Sequence, residues 1–270
     1  MSTYIAEAAC VDPRAEIAED VEIGPYCVIG PDVRIGRGTR LVSHVTVLGH
    51  VTIGEFNQLS PFCVIGGEPQ DLSYRGAPTR VEIGDYNVIR ESVTVNRATE
   101  KEDGVTRVGN YNYLMACTHL AHDVKMGDHV VMANGTIIGG HTHIESHASL
   151  SGNVAVHHFA TIGRYSFVGG ASRIYHDVPP YMLVDGNPSR VRCINQVGLK
   201  RNRFAPEEIA SLSEAHRLLY RAKMGLQHAR EILTSNAGGQ LTQPVEILLK
   251  FIEAQHAGKH GRGRERWRTQ

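Results

Sequence analysis

Aliphatic side chains recur at every sixth position. The series Ile5, Val11, Ile17, Ile23, Ile29, Ile35, Leu41, Val47, Ile53, Leu59, Ile65 is unbroken. It then meets Asp71 and Ala77, resumes at Ile83, Ile89 and Val95, and after a one-residue slip runs again from Val108 to Ile174. From Leu120 to Ile162 the residues two before each of these, such as Thr118, Val124, Val130 and Thr136, are small or aliphatic as well. Strand alternation therefore turns both inward and the residue between them outward. A period of six suits neither a helix nor a hairpin sheet. It predicts a parallel β-helix of short strands and turns, three hexads to a coil. Residues eighteen apart then stack, with coils about 4.8 Å apart.

The pattern is interrupted twice. Residues 67–80, GEPQDLSYRGAPTR, are polar and rich in Gly and Pro, and residues 96–107, NRATEKEDGVTR, are charged. Both read as loops thrown out of the solenoid, and such loops often carry function. From Pro206 the period becomes helical through PEEIASLSEAHRLLYRAKMGL, with Glu207 and Glu208 in the first turn. A second helix is expected over Val245 to Ala254, after Gly238 and Gly239. The predicted organisation is a mainly β solenoid over 1–190 and an α-helical domain over 191–270. The latter ends in a basic tail, GKHGRGRERWRTQ, that reads as solvated.

Formal net charge is zero over 270 residues, which gives no support to bulk nucleic-acid binding. Five scattered cysteines without CxxC spacing fit reduced thiols in a cytoplasm. The acidic, Pro-broken start is not a signal peptide, and no apolar run reaches membrane-spanning length.

More than half of the fifteen histidines lie between His119 and His158. In THLAHD, Leu120 points inward, so His119 faces out from a strand, and His122 and Asp123 sit in a turn. Steps of eighteen place His122, Gly140 and His158 in one column, Asp123, His141 and Phe159 in the next, and Ala121, Gly139 and His157 beside them. Histidines 122, 141, 157 and 158 thus gather on one edge. Two chemistries fit. Zinc would need three protein ligands, as in the hexapeptide solenoids of gamma-class carbonic anhydrases. Acid–base catalysis would need a histidine and a carboxylate to orient it, which His122 and Asp123 supply. Gly140, over His122, would present a backbone N–H to an oxyanion. A third reading is a scaffold solenoid without chemistry.

GEPQDLSY, RESVTVNRAT, THLAHD, GGHTHIES, AVHHF, DVPPYMLVDGNPSR and INQVGLKR together resemble the UDP-N-acetylglucosamine acyltransferase family that opens lipid A synthesis in Gram-negative bacteria. The likeness spans essentially the whole chain. It implies a left-handed β-helix, a hand known from proteins that share the hexad and not revealed by the period. It also implies a cytoplasmic homotrimer with sites between subunits. The implied reaction moves a 3-hydroxyacyl group from acyl carrier protein to the 3-hydroxyl of UDP-N-acetylglucosamine, without cofactor or metal. By motif, His122 is implied as general base, Asp123 as its orienter and Gly140 as oxyanion donor. Gln70, Asp71, His119, His141, His157 and His158 are implied at the glucosamine, Asn195 and Arg201 at the nucleotide, and Gly170 at the end of the acyl chain.

Some residues depart from the family's best-known members. His158 stands where they have glutamine, Val197 where they have glutamate, Asn202 where they have a second arginine, and Asn187-Pro188-Ser189 where they read Asn-His-Ala. These positions touch nucleotide and acyl-chain contacts and leave the base alone. The related N-acyltransferase of the same pathway carries an N-terminal uridine-binding domain, for which hexads beginning at Ile5 leave no room. A 3-amino sugar acceptor, giving an amide, stays open at this point.

Overall fold

Inward aliphatic residues wind the chain into a three-sided prism, described here in a computed structural model over residues 2–261. The coils are left-handed. Each coil gives one short strand to each of three parallel sheets of eleven, nine and eight strands, called here the first, second and third faces. The inward positions form one continuous core, from Val21 and Ile23 to Ile174 and Val184. Position i−2 is buried from Val21 onward, as at Thr118, Val124 and Thr136.

Three asparagines enter this interior on the first face. Asn57, Asn87 and Asn112 are buried. The Oδ1 of each accepts the backbone N–H of the residue one coil further on, at 2.9, 2.8 and 2.7 Å. A buried polar side chain is tolerated because it is bonded.

The loops explain the phase of the repeat. Most coils advance eighteen residues, as from Asn112 to Val130. The coil holding the first loop advances thirty, from Asn57 to Asn87, and the next advances twenty-five, from Asn87 to Asn112. The first loop therefore adds two whole hexads and leaves the phase intact, while the second adds seven residues and appears as a one-residue slip. Both leave strands of the second face (Val64–Gly67 and Thr94–Asn96) and return to strands of the third (Arg80–Ile83 and Val105–Val108). They emerge from one edge of the prism, where the second face turns into the third.

The last strand of the first face, Arg190–Ile194, runs antiparallel to Met182–Asp185, and the helices begin after it. They are α1 (Gln196–Arg201), α2 (Pro206–His216), α3 (Leu226–Asn236) and α4 (Gln243–His256), around a second core of Leu199, Leu212, Leu218, Leu233, Leu248 and Leu249. The stretch expected as one helix from Pro206 is interrupted. It widens to a π-helical turn at Arg217–Arg221 and ends where Lys223 takes a positive φ of 54°. Gly225 is extended and starts α3. The expected Val245–Ala254 helix lies inside α4. The basic tail lies largely outside the described residues.

Candidate active site

The turns following three strands of the second face, His119–Leu120, Ile137–Ile138 and Ala155–Val156, hold the candidate side chains. Asp123, His141 and Phe159 share one position in successive coils with φ of 61°, 59° and 65°, and His122 precedes Asp123. His122 Nδ1 lies 2.8 Å from Asp123 Oδ2. A carboxylate only accepts, so Nδ1 carries the hydrogen and the neutral ring keeps its lone pair on Nε2. That nitrogen faces the first loop, 4.0 Å from Asp71 Oδ2.

Asp123 is fully buried. Its Oδ2 also accepts from the Thr99 backbone N–H at 3.0 Å and from the Thr99 hydroxyl at 2.7 Å. Burial works to raise its carboxyl pKa. The hydrogen bonds from His122 and Thr99, with His141 beyond them, outweigh that and hold it below the usual carboxylate range. Asp71 follows the same logic. Its partial burial is outweighed by Lys101 at 2.5 Å and by hydrogen bonds from Ser73, so it is held well below its ordinary value.

Gly140 is required where it stands. A Cβ there would lie 2.5 Å from His122 Cε1 and 2.7 Å from Nε2, so any side chain would displace the ring. Its carbonyl accepts from Phe159, and its N–H makes no hydrogen bond within the described chain. An unengaged N–H beside the lone pair of His122 is the arrangement an oxyanion needs.

The other expected residues divide into those gathered here and those placed elsewhere. Gln70 is exposed on the first loop, and Asp71 is half-buried beside it. His119 lies on the outer surface of the second face, with Nδ1 2.7 Å from the Thr94 hydroxyl, and burial, aided by His122, pushes its pKa down. His157 and His158 lie against each other with ring centroids 3.7 Å apart, further along the edge. His141 is 3% exposed, and its ring stacks on Phe159 at 4.5 Å. Its Nδ1 is 3.2 Å from Glu102 Oε1 and its Nε2 3.7 Å from Asp123 Oδ2. Both ring nitrogens thus lie near carboxylates.

Asn195 and Arg201 are not brought to this edge. They line a cleft of about 1030 Å3 between the first face, at Ser149, Phe167 and Leu183, and the helices. Asn195 also caps α1: its Oδ1 accepts from Gly198 N at 3.1 Å and its Nδ2 donates to the Tyr165 carbonyl at 2.8 Å. The large cleft is thus on a different side of the prism from His122. Gly170 lies on a third edge, between the first and second faces, where an added Cβ would meet Gly152 O and Ser151 Oγ at an ordinary 3.5 Å.

Residues of the second loop were not singled out in the sequence. Arg97 ties the two loops together, donating to the Gly66 carbonyl at 3.1 Å and to Glu68 at 2.9 Å. Thr99, Lys101 and Glu102 reach Asp123, Asp71 and His141. The only signal was a charged insertion of the right length.

His122, Asp123 and His141 are close enough to share a metal ion. The bonds in place favour a proton-transfer reading. Asp123 Oδ2 already accepts three hydrogen bonds, and His122 Nδ1 carries a hydrogen directed at that oxygen.

A histidine paired with a buried carboxylate on a left-handed hexapeptide prism fits the hexapeptide acyltransferases. Residues 2–37 and 14–49 match the bacterial transferase hexapeptide family, and residues 177–263 match the family described as Udp N-acetylglucosamine O-acyltransferase, domain 2. The acyl-[acyl-carrier-protein]–UDP-N-acetylglucosamine O-acyltransferase of Syntrophobacter fumaroxidans is 45% identical over 255 residues, 94% of this chain and 98% of that one. The protein of that name from Synechocystis is 47% identical over 206 residues, 76% of this chain and 74% of that one. The crystal structure of the UDP-N-acetylglucosamine O-acyltransferase from Moraxella catarrhalis superposes with a TM-score of 0.86 at 39% identity, over 92% of this chain and 96% of that chain. The chain belongs to the UDP-N-acetylglucosamine O-acyltransferase family.

Proposed function

We propose that this chain transfers a 3-hydroxyacyl group from acyl carrier protein to the 3-hydroxyl of UDP-N-acetylglucosamine, the first step of lipid A synthesis, in the cytoplasm. The observation that carries the chemistry is the His122–Asp123 pair at 2.8 Å, with Nε2 turned outward and Gly140 against the ring. His122 Nε2 takes the sugar hydroxyl proton as that oxygen attacks the thioester carbonyl. The Gly140 N–H stabilises the resulting oxyanion, and Asp123 stabilises the imidazolium. Collapse expels the carrier's thiolate, which takes the proton back from His122. No step needs a metal or an organic cofactor.

Gln70 and Asp71 from the first loop, with His119, His141, His157 and His158 along the edge, are assigned to the glucosamine. Asn195 and Arg201 are assigned to the nucleotide. The distance between these two groups within one chain supports a homotrimer in which one copy's cleft faces the next copy's histidine edge. Among the described residues no helix is long and apolar enough to cross a membrane.

Mass spectrometry of the product tests the reading, using purified protein, UDP-N-acetylglucosamine and carrier protein loaded with mixed 3-hydroxyacyl chains. A 3-O-acyl ester is expected. An unmodified sugar would overturn the reading. Gly170 is assigned to the acyl terminus, with a long chain favoured because glycine leaves that end open. Gly170→Met should shift product toward shorter chains with the fold intact, since the site has room for a Cβ. An unchanged chain-length distribution would place the acyl terminus elsewhere.

A further inference from the structure

The outer row of the second face runs His119, Ile137, Ala155, Arg173, each paired with the next across neighbouring strands. Arg173 thus lies three coils beyond His119, about 14 Å along the prism at about 4.8 Å per coil. It is exposed, and the carbon at the centre of its guanidinium lies over the Tyr175 ring, 4.4 Å from the centroid. Tyr175 packs in turn on His157, with centroids 5.9 Å apart, and His157 on His158 at 3.7 Å. A side chain rooted on the strand is therefore carried toward the turns that hold the sugar contacts.

The cations around the catalytic turn are differently placed. Arg97 lies on Glu68, Lys101 on Asp71 and Lys125 on Asp103. Each of these positive charges is offset by a carboxylate. Among the described residues Arg173 meets no carboxylate, and the face of a tyrosine holds it. An aromatic face orients a guanidinium without cancelling its charge or using up its N–H donors. Ile137 and Ala155, between His119 and Arg173, are exposed and apolar, so no charge in that row competes with it.

A sugar nucleotide needs such a group. With its 3-hydroxyl at His122 and its base in the cleft of Asn195 and Arg201, the diphosphate has to lie between them. It brings negative charge past an edge where Asp71 and Asp123 are both held ionised. Like charges repel, so a cation without a carboxylate of its own is required further along. We propose that Arg173, oriented by Tyr175, binds the diphosphate of the acceptor. The planar fork of arginine gives a phosphate two parallel N–H donors, and the stacking on Tyr175 sets the plane of that fork. The proposal rests on UDP-N-acetylglucosamine being the acceptor, and it adds a binding residue that leaves the proton transfer at His122 untouched.

The test is calorimetric binding of UDP-N-acetylglucosamine, with steady-state kinetics and a melting temperature, in wild type, Arg173→Gln, Arg173→Lys, Tyr175→Ala and the Arg173→Gln/Tyr175→Ala double variant. Arg173→Gln should raise both Kd and KM for the sugar nucleotide by about ten- to a hundredfold, the range expected for charge-assisted hydrogen bonds. Its kcat, its KM for acylated carrier protein and its melting temperature should stay at wild-type values. Arg173→Lys keeps the charge without the fork and should fall between the two. Tyr175→Ala should weaken binding less than Arg173→Gln, and the double variant should be no worse than Arg173→Gln, because the tyrosine acts through the arginine. An unchanged Kd for the sugar nucleotide in Arg173→Gln would overturn the proposal. A raised KM for acylated carrier protein with that Kd unchanged would also overturn it, and would make Arg173 a contact for the carrier. Failure of the underlying reaction looks different: wild type binds the sugar nucleotide through Arg173 and makes no ester.

Discussion

His141 and His147 occupy the same turn position on two different edges, with φ of 59° and 63°. His147 belongs to the edge where the third face turns into the first. There Phe56, Tyr86, Tyr111, His129, His147, Tyr165 and Tyr181 stack one coil upon the next, with centroids 4.5 to 5.9 Å apart. Phe204 of the helical domain packs edge-on against Tyr165 at 4.9 Å. Burial and the neighbouring His129 hold His147 below its ordinary pKa, and the Oδ1 of nearby Asp128 accepts from the Asn110 backbone N–H. Histidine on that edge is one more flat ring in a column. On the other edge the same backbone position puts Asp123 and His141 under two loops that bring Thr99, Asp71, Lys101 and Glu102. A histidine-rich edge is therefore no site by itself. Partners that fix a tautomer and leave a lone pair outward make one.

The comparison is broken most severely at Asp123. Asp123→Asn keeps the shape but turns an N–H or a weaker acceptor toward His122 Nδ1. That removes the preference for the tautomer with its lone pair on Nε2. Turnover should fall by about a thousand- to ten-thousand-fold, read as steady-state ester formation, with the substrate KM values little changed. A loss below tenfold would mean that Asp123 does not set the tautomer.

Gly140→Ala comes next. The added Cβ, 2.5 Å from His122 Cε1, must push the ring or the turn aside. Displacing an oxyanion donor costs about a hundred- to a thousandfold in kcat, and here the base shifts with it. The same change at Gly170, which has room, should leave the rate with short acyl chains intact.

The smallest effect belongs to the aromatic column. His147→Ala removes ring contacts at 4.7 and 4.5 Å. It should lower stability by about 1 kcal/mol, seen as a melting temperature down by about 2–4 °C, with kcat unchanged. A large drop in kcat would mean that the two edges do not differ as described.

Acidification should weaken the catalytic edge in particular. Asp71 and Asp123 are both held below their ordinary value of 3.8. A carboxylate with a depressed folded-state pKa adds stability that is fully present above 3.8 and is lost as pH falls through its folded value. Hydrogen exchange of the loop amides, Thr99 foremost, should accelerate below that pH before the aromatic column opens.

The contrast between the edges was only half legible in the sequence. Hexads give faces, edges and columns, because an inward aliphatic residue every sixth position admits few other folds. His122 over Gly140, with Asp123 beside it, follows from steps of eighteen. The partners of His141 do not, because Glu102 reaches it only after an insertion of seven residues folds back across the edge. Asn195 was obscured for another reason. Its motif suggests a ligand contact, while its side chain caps a helix of six residues too short to show a period. The break before α3 was hidden because Lys223 adopts a backbone conformation that its residue type does not announce.

The most direct test is turnover of His122→Ala beside His147→Ala, with acylated carrier protein and UDP-N-acetylglucosamine in one assay. The account predicts loss by about a hundred- to ten-thousand-fold for the first and wild-type turnover for the second, both correctly folded. His122→Ala retaining more than about a tenth of wild-type turnover, well short of the loss expected for a general base, would contradict it.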